Sequence, residues 1–274
     1  MLENWATMTQ ADRDAAYNNN GAVANSPALI EARNAGSKAY RAANSSALDI
    51  PYGPGDRQKW DLYPAARADA PCLVFIHGGY WQRNSREDFA CYAEGMRAHG
   101  CAVAMPSHTL APDATLTEIV AEIHRALDFL ADNGPSKHGI GGGRIVLSGW
   151  SAGGHLTALA LSHRAVSAGL AISGVYDLAP IRQTNLNEKL KLSGTEVATL
   201  SPLQLPVVAK PLAIAYGSRE LPALVTDSRD LHAKRAAAHA KGPLIPIAGA
   251  DHFTILEELR RPDGALVSAA RQLL

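Results

Sequence analysis

The sequence contains few cysteines, and their spacing argues against two kinds of site. Only three of the 274 residues are cysteine, namely Cys72, Cys91 and Cys101. An odd number without a C-x-x-C spacing makes a disulfide framework or a cysteine-ligated zinc site a poor interpretation. Two of the three lie at the ends of apolar runs, so we expect them to behave as small buried hydrophobic residues.

An excess of charge of one sign is also absent. Lys+Arg and Asp+Glu both number 26, so the net charge is zero and nothing points to nucleic acid or to an anionic membrane surface. No apolar run reaches about 18 residues, and the N-terminus lacks the basic and apolar regions of a signal peptide. We therefore expect a cytoplasmic enzyme that acts on a small molecule, with a homodimer left open as its assembly.

Motifs for bound cofactors are missing too. The sequence has no P-loop, no cluster of metal ligands and no G-x-G-x-x-G in a dinucleotide-binding context. The glycine-rich stretch GIGGGR, residues 139–144, precedes a strand pattern, whereas a phosphate cradle lies between a strand and a helix. We interpret it as a loop and expect no cofactor.

What the sequence does contain is an alternation of strand and helix patterns. Apolar runs typical of buried strands occupy residues 72–78, 101–107, 143–150, 168–177, 210–218 and 242–252. Residues 115–134 have apolar positions at helical spacing, with Gly134 as the expected C-cap. Residues 47–53 and 57–64 alternate around a turn signal and predict an antiparallel hairpin at a sheet edge.

This alternation predicts an α/β fold with a mainly parallel, twisted sheet and helices on both faces. We expect one domain over residues 1–274, in which residues 1–45 cover the sheet and residues 174–202 form a cap-like insertion. Ligands of such sheets bind at the carboxyl ends of the strands. The residues that directly follow each strand are therefore the candidates for a site.

The motif GWSAG, Gly149–Gly153, lies between a predicted strand and a predicted helix. A serine on such a sharp turn needs strained backbone angles, and flanking glycines remove side chains that would clash with neighbouring elements. The turn raises the Ser151 hydroxyl out of the sheet and points the N–H of Ala152 toward the same place. Ser151 is the predicted nucleophile.

A serine nucleophile needs a general base, and His252 is the best placed of ten histidines. It follows the last predicted strand, which agrees with the chain order serine, acid, histidine. His108 follows a strand and could approach the site, and His155 lies one turn beyond Ser151. For these two, local packing is the alternative to a substrate role.

The acid that would orient the base is expected after the penultimate strand. Glu220 lies three residues beyond Gly217, while Asp227 and Asp230 lie deeper in the following helix. A carboxylate here would accept the imidazole Nδ1–H and stabilise the imidazolium. Glu220 is the first candidate, and the two aspartates are alternatives.

The motif HGGYW, residues 77–81, follows the strand that we expect beside the nucleophile strand. Acyl transfer develops negative charge on a carbonyl oxygen, which fixed N–H groups stabilise. Backbone N–H groups of Gly78, Gly79 and Tyr80 could join that of Ala152 in an oxyanion hole. The glycines would allow the backbone to approach closely.

With these motifs the sequence resembles the α/β-hydrolases, and in particular the arylformamidase (kynurenine formamidase) family. The stretch HGGYW stands as that family's HGGxW motif, residues 174–202 resemble its G-x-Y-D-L-x-P segment, and YGSRELPALVTDS with the later DHF is similar to its acid and histidine regions. The resemblance implies Ser151, Glu220 and His252 as nucleophile, acid and base. The family usually has aspartate where Glu220 stands.

The resemblance implies hydrolysis of a small aromatic formamide or amide, of the N-formylkynurenine type, through a serine acyl-enzyme. Tyr80, Trp81 and Tyr176 could then form an aromatic wall for the leaving group, with core packing as the alternative. Arg83 or Arg182 could hold a substrate carboxylate. A carboxylesterase or thioesterase with the same catalytic residues is the alternative activity, and a binding module without catalysis is disfavoured because all three positions carry competent groups.

Overall fold

The computed structural model describes residues 5–274 and contains one eight-stranded sheet. The strands are β1 (Ile50–Pro51), β2 (Lys59–Tyr63), β3 (Cys72–Ile76), β4 (Ala102–Pro106), β5 (Ile145–Trp150), β6 (Ala168–Ile172), β7 (Leu212–Gly217) and β8 (Leu244–Ile247). Their order across the sheet is β1-β2-β4-β3-β5-β6-β7-β8. Strands β3 to β8 run parallel, and β2 is antiparallel to both of its neighbours.

Helices connect the parallel strands. The α-helices are α1 (Gln10–Ala15), α2 (Asn19–Ala22), α3 (Ser26–Ala43), α4 (Glu94–Arg97), α5 (Leu116–Asn133), α6 (Ala152–Ala160), α7 (Leu178–Ile181), α8 (Asn187–Leu190), α9 (Gly194–Leu200), α10 (Pro222–Ala237), α11 (Glu257–Arg260) and α12 (Ala265–Leu273). Short 3₁₀ helices span Trp5–Thr7, Ser45–Ala47, Arg86–Ala93 and Thr254–Leu256, and a π-helical turn spans Gly134–His138. This alternation confirms the predicted α/β architecture.

Both faces of the sheet are covered by a hydrophobic core. In β3, Val74 and Ile76 belong to the core on the face of α5 and α6, whereas Leu73 and Phe75 belong to the core on the face of α4 and α12. Successive side chains of a strand point to opposite faces, so a strand buried on both faces reads as a continuous apolar run. The three cysteines are free thiols buried among these residues, as predicted.

The antiparallel hairpin is also confirmed, because β1 pairs with β2 in a register that places Ile50 opposite Trp60. One detail differs from the sequence prediction. Strand β8 is an edge strand whose residues are half-buried or exposed, because only β7 pairs with it. Gly134 is the C-cap of α5, as predicted; a π-helical turn follows, and Gly139 adopts a left-handed conformation with φ 61°.

The N-terminal segment lies against the residues that follow β6 and β3. Asp14 accepts a hydrogen bond from the N–H of Asn185 at 2.7 Å, and the Tyr80 hydroxyl donates to the carbonyl of Tyr17 at 2.7 Å. Between residues 5 and 274, no helix combines the length and the apolar character needed to cross a membrane. The contacts of Asp14 and Tyr17 place the N-terminal segment beside the residues after β6, and together these segments bound a space at the carboxyl ends of the parallel strands.

Candidate active site

Ser151 lies in the tight turn between β5 and α6. Its backbone has φ 58° and ψ −119°, angles that are costly for a residue with a side chain. The turn is held because the Ser151 N–H donates to the carbonyl of Ile172 on the neighbouring strand at 2.8 Å. A Cβ at Gly153 would collide with the β3 carbonyl of Ile76, so glycine is needed where the helix approaches the strand. The strained turn predicted for GWSAG is present.

Glu220 and His252 form a buried pair. The Nδ1 of His252 and the Oε2 of Glu220 are 3.1 Å apart, and both side chains are almost fully buried. The backbone carbonyl of His252 accepts a hydrogen bond from Trp150 Nε1 at 2.8 Å, and the two rings lie 4.6 Å apart. Trp150 directly precedes Ser151, so the same aromatic side chain fixes the histidine loop next to the serine turn.

The second oxygen of Glu220 is held by two further donors. Glu220 Oε1 accepts hydrogen bonds from the N–H of Gly217 at 2.7 Å and from the Ser173 hydroxyl at 2.5 Å. Ser173 follows β6, the strand between those that carry Ser151 and Glu220, and its φ is 51°. Sequence reasoning missed Ser173, although its place after a central strand is the signal that identified the other residues. Two donors other than His252 thus fix the carboxylate that lies beside the imidazole.

The two alternative acids lie elsewhere. Asp227 is buried on α10 and accepts hydrogen bonds from the N–H groups of Tyr176 at 2.6 Å and Asp177 at 3.1 Å. Burial raises the pKa of Asp227 to about 7, against the effect of these two hydrogen bonds. Asp230 is exposed on the same helix. Asp227 therefore anchors the segment after β6, and the carboxylate beside His252 is that of Glu220.

The HGGYW loop packs directly against the serine turn, because β3 pairs with β5. A Cβ at Gly78 would lie 2.6 Å from the Trp150 carbonyl oxygen and 2.9 Å from Ser151 Cβ, so a larger residue would displace the loop. Gly79 has φ 119° and Tyr80 has φ 50°. With acceptors among residues 5–274, the N–H groups of Gly79 and Tyr80 form no hydrogen bond. They are available to a ligand beside Ser151, as is the N–H of Ala152 at the start of α6.

A cavity of about 610 Å³ lies at this end of the sheet. It is lined by Ser151 and His252, by Gly79 and Tyr80, and by residues of the N-terminal segment and of the region around α8. This volume is within the range of sites for small organic ligands. The cavity therefore brings the predicted nucleophile, base and oxyanion loop to one place.

The predicted aromatic wall is only partly present. Tyr80 lines the cavity, but Trp81 and Tyr176 do not, and their side chains are fully buried in the core. Trp81 packs edge-on against His155, with ring centroids 4.9 Å apart. Of the two arginines considered for a substrate carboxylate, Arg83 lines the cavity and Arg182 does not. Core packing, the alternative interpretation, describes Trp81 and Tyr176.

The other candidate histidines also pack in the interior. His108 stacks on His77 with ring centroids 4.7 Å apart, and burial lowers its pKa to about 4. His155 Nε2 bonds the carbonyl of Leu200 at 2.7 Å and so ties α6 to the end of α9. Neither lines the cavity. Across residues 5–274, no group of three or more His, Cys, Asp or Glu side chains is arranged to hold a metal ion.

Comparison with known proteins relates this site to hydrolases. Residues 60–190 match the BD-FAE family model, which covers just under half of the chain. The chain is 27% identical to a kynurenine formamidase of Danio rerio over 85% of this chain and 83% of that protein. It is 28% identical to a kynurenine formamidase of Salmo salar over 84% of this chain and 82% of that protein.

A solved structure shows the same fold. The crystal structure of a protein of Silicibacter sp. TM1040, provisionally assigned as a thioesterase, superposes with a TM-score of 0.83 and 29% identity, over 94% of this chain and 98% of that one. The strand order and these relatives therefore agree on both fold and enzyme class. The chain is a hydrolase with the α/β-hydrolase fold, and it is similar to the arylformamidases.

Proposed function

We propose that the protein is a serine hydrolase in which Ser151, His252 and Glu220 act together. The observation that carries this proposal is the buried Glu220–His252 pair, which opens onto the cavity that Ser151 also lines. Glu220 accepts the Nδ1–H of His252, which leaves Nε2 as the proton acceptor. Because Gly217 and Ser173 also donate to this carboxylate, it is restrained in the position that orients the imidazole.

The reaction follows from this arrangement. Ser151 Oγ attacks the carbonyl carbon while His252 takes its proton, and the carbonyl oxygen becomes negatively charged. The N–H groups of Gly79, Tyr80 and Ala152, with that of Gly78 as a further candidate, stabilise the oxyanion. His252 then gives the proton to the leaving nitrogen, and the amine departs. Water, deprotonated by His252, cleaves the acyl-enzyme and restores Ser151.

An aromatic formamide is the substrate class that we propose. Two proteins named kynurenine formamidase align with more than four-fifths of the chain, and the HGGYW motif stands at the site. A Cβ at Gly78 would lie 2.9 Å from Ser151 Cβ, so the HGGYW loop lies directly beside the serine. A formyl group has only hydrogen on its carbonyl carbon and suits a confined acyl side, while the 610 Å³ cavity can hold an aromatic leaving group.

A carboxylesterase or thioesterase is the second candidate. The solved structure with 29% identity was assigned provisionally as a thioesterase, and it covers nearly the whole chain. The same three residues and the same oxyanion loop would hydrolyse an ester or thioester, because the acyl-enzyme chemistry is shared. The two candidates differ in the leaving group and in the acyl group that is accepted.

Hydrolysis of N-formylkynurenine and of p-nitrophenyl acetate by the same preparation distinguishes them. We expect kcat/KM to be larger for the formamide than for the ester, although the ester is chemically more reactive. We also expect Ser151→Ala to abolish both activities while leaving the unfolding temperature near that of the wild type. A much larger kcat/KM for the ester would reject the formamidase proposal and favour the esterase.

A further inference from the structure

Arg33 is a buried arginine that lines the catalytic cavity without an acidic partner. It lies in the middle of α3, and only 7% of its surface is exposed. Its Nε and Nη2 both donate to a single oxygen, Asn34 Oδ1, at 3.0 and 2.8 Å. Among residues 5–274 no carboxylate lies within ion-pair distance of it, and its Nη1 makes no hydrogen bond.

A row of aromatic side chains connects its guanidinium to His252. The Cζ of Arg33 is 4.2 Å from the centre of the Phe89 ring, and that ring is 5.7 Å from the ring of Trp150. Trp150 in turn contacts His252, with 4.6 Å between ring centroids. The charge therefore lies beside the aromatic cluster that supports the serine turn and the histidine loop.

The other buried arginines show what Arg33 lacks. Arg86 forms ion pairs with Asp61 at 2.9 Å and with Asp49, and Arg235 donates to three backbone carbonyls. A buried charge is costly unless it is paired and hydrogen-bonded. Burial lowers the pKa of Arg33, against smaller opposing effects of the nearby Tyr92, Asp88 and Cys91. The guanidinium also stacks on Phe89, which is a favourable contact for a cation.

We propose that Arg33 forms a binding subsite for an anionic group of the substrate, a carboxylate. A guanidinium group with a free N–H edge suits a carboxylate in geometry and charge. This subsite rests on the proposed function in one respect. The proposed acyl group is formyl, which carries no substituent, so the carboxylate must belong to the leaving group. Two further cations, Arg83 and Lys189, line the cavity. Both are exposed, so water solvates their charges and leaving them unpaired costs less free energy than it does for Arg33.

The test compares substrates that differ only in a carboxylate. One pair consists of esters, 3-(3-acetoxyphenyl)propanamide and 3-(3-acetoxyphenyl)propanoate. The other pair consists of formamides, 3-(3-formamidophenyl)propanamide and 3-(3-formamidophenyl)propanoate. We expect the wild type to prefer the carboxylate member of each pair that it hydrolyses. Arg33→Met should reduce that preference about 10- to 100-fold, mainly through KM, and should leave the neutral member within about twofold.

Arg83→Met tests the rival candidate for the same carboxylate, because it removes an exposed cation from the same cavity. It should keep the preference. Three results would overturn the proposal: no preference in the wild type, equal losses on both members in Arg33→Met, or loss of the preference in Arg83→Met. If Arg33→Met does not fold, the wild-type and Arg83→Met comparisons still test the proposal, because no preference in the first or its loss in the second overturns it. A preference for the carboxylate-bearing ester, with no hydrolysis of either formamide, would support the subsite and reject the formamidase proposal.

Discussion

Ser173 makes the shortest hydrogen bond to Glu220, the proposed catalytic carboxylate. Its hydroxyl donates to Glu220 Oε1 at 2.5 Å, and its strained φ of 51° keeps it directed toward that carboxylate. Glutamate has one more rotatable bond than aspartate, so it needs an additional restraint to hold the imidazole in one orientation. We infer that Ser173 is a positioning residue for the proposed catalytic group.

Replacing Ser173 with alanine should therefore affect turnover more than binding. We expect kcat to fall about tenfold with little change in KM, since a hydrogen bond to a charged group contributes about 1.5–3 kcal/mol. Ser148→Ala is the matched control: its hydroxyl is equally buried in the same sheet but donates to the carbonyl of Leu170 at 2.8 Å. Equal losses of kcat in both variants, at equal unfolding temperatures, would show that Ser173 has no special role.

Single residues at the site differ in how far the sequence reveals them. Ser151, Glu220 and His252 could be found because each lies in the segment that follows a strand, and the carboxyl ends of parallel strands meet at one edge. Arg33 could not, because it lies in a helix far from any motif and reaches the cavity only through tertiary packing. Trp81 was expected at the substrate because it is part of HGGYW, but its positive φ of 59° accompanies a side chain packed into the core.

At the scale of elements, Asp227 joins α10 to the segment that follows β6. Its carboxylate is buried and its pKa is raised to about 7, above the value near 4 of an unfolded chain. Below pH 4 the Asp227 carboxyl is protonated in both the folded and the unfolded state, so its ionisation does not change the free energy of unfolding. As the pH rises from 4 to 7 the unfolded state loses its proton first, so the folded state is destabilised by an amount that reaches the order of 4 kcal/mol.

Asp227→Asn removes this ionisation and keeps an acceptor for the N–H of Tyr176. The unfolding temperature of the variant, relative to that of the wild type, should therefore rise from pH 4 to pH 7 and stay constant above it. The control is Asp263→Asn, since exposed Asp263 has its pKa lowered by Arg261 and should give a small difference of opposite sign. A difference for Asp227→Asn that does not change with pH contradicts this account.

The elements themselves were largely predictable, and the exceptions have local causes. Thr115 and Glu118 form a capping box that starts α5 at the expected residue. The predicted C-cap of α5, Gly134, is also confirmed, and a π-helical turn follows it. Strand β8 carries apolar residues yet lies at the sheet edge, and periodicity does not distinguish an edge strand from a central one.

At the scale of the whole molecule, the cavity is closed by two segments that the sequence placed only loosely. The predicted covering segment does approach the region after β6, through Asp14 with Asn185 and Gln10 with the carbonyl of Gln183. These contacts join residues more than 170 positions apart, so no local pattern could specify them. The sequence thus predicted the floor of the cavity, formed by strand ends, but not the walls that select a substrate.

The central claim, nucleophilic catalysis by Ser151, is tested most directly by labelling with a fluorophosphonate and measuring the intact mass. We predict one adduct per chain, located on the peptide that contains Ser151, and no adduct on a folded Ser151→Ala variant. The adduct should form more slowly in His252→Ala, because Ser151 then lacks its base. Absence of labelling in folded wild-type protein, or labelling that persists in Ser151→Ala, would contradict the account.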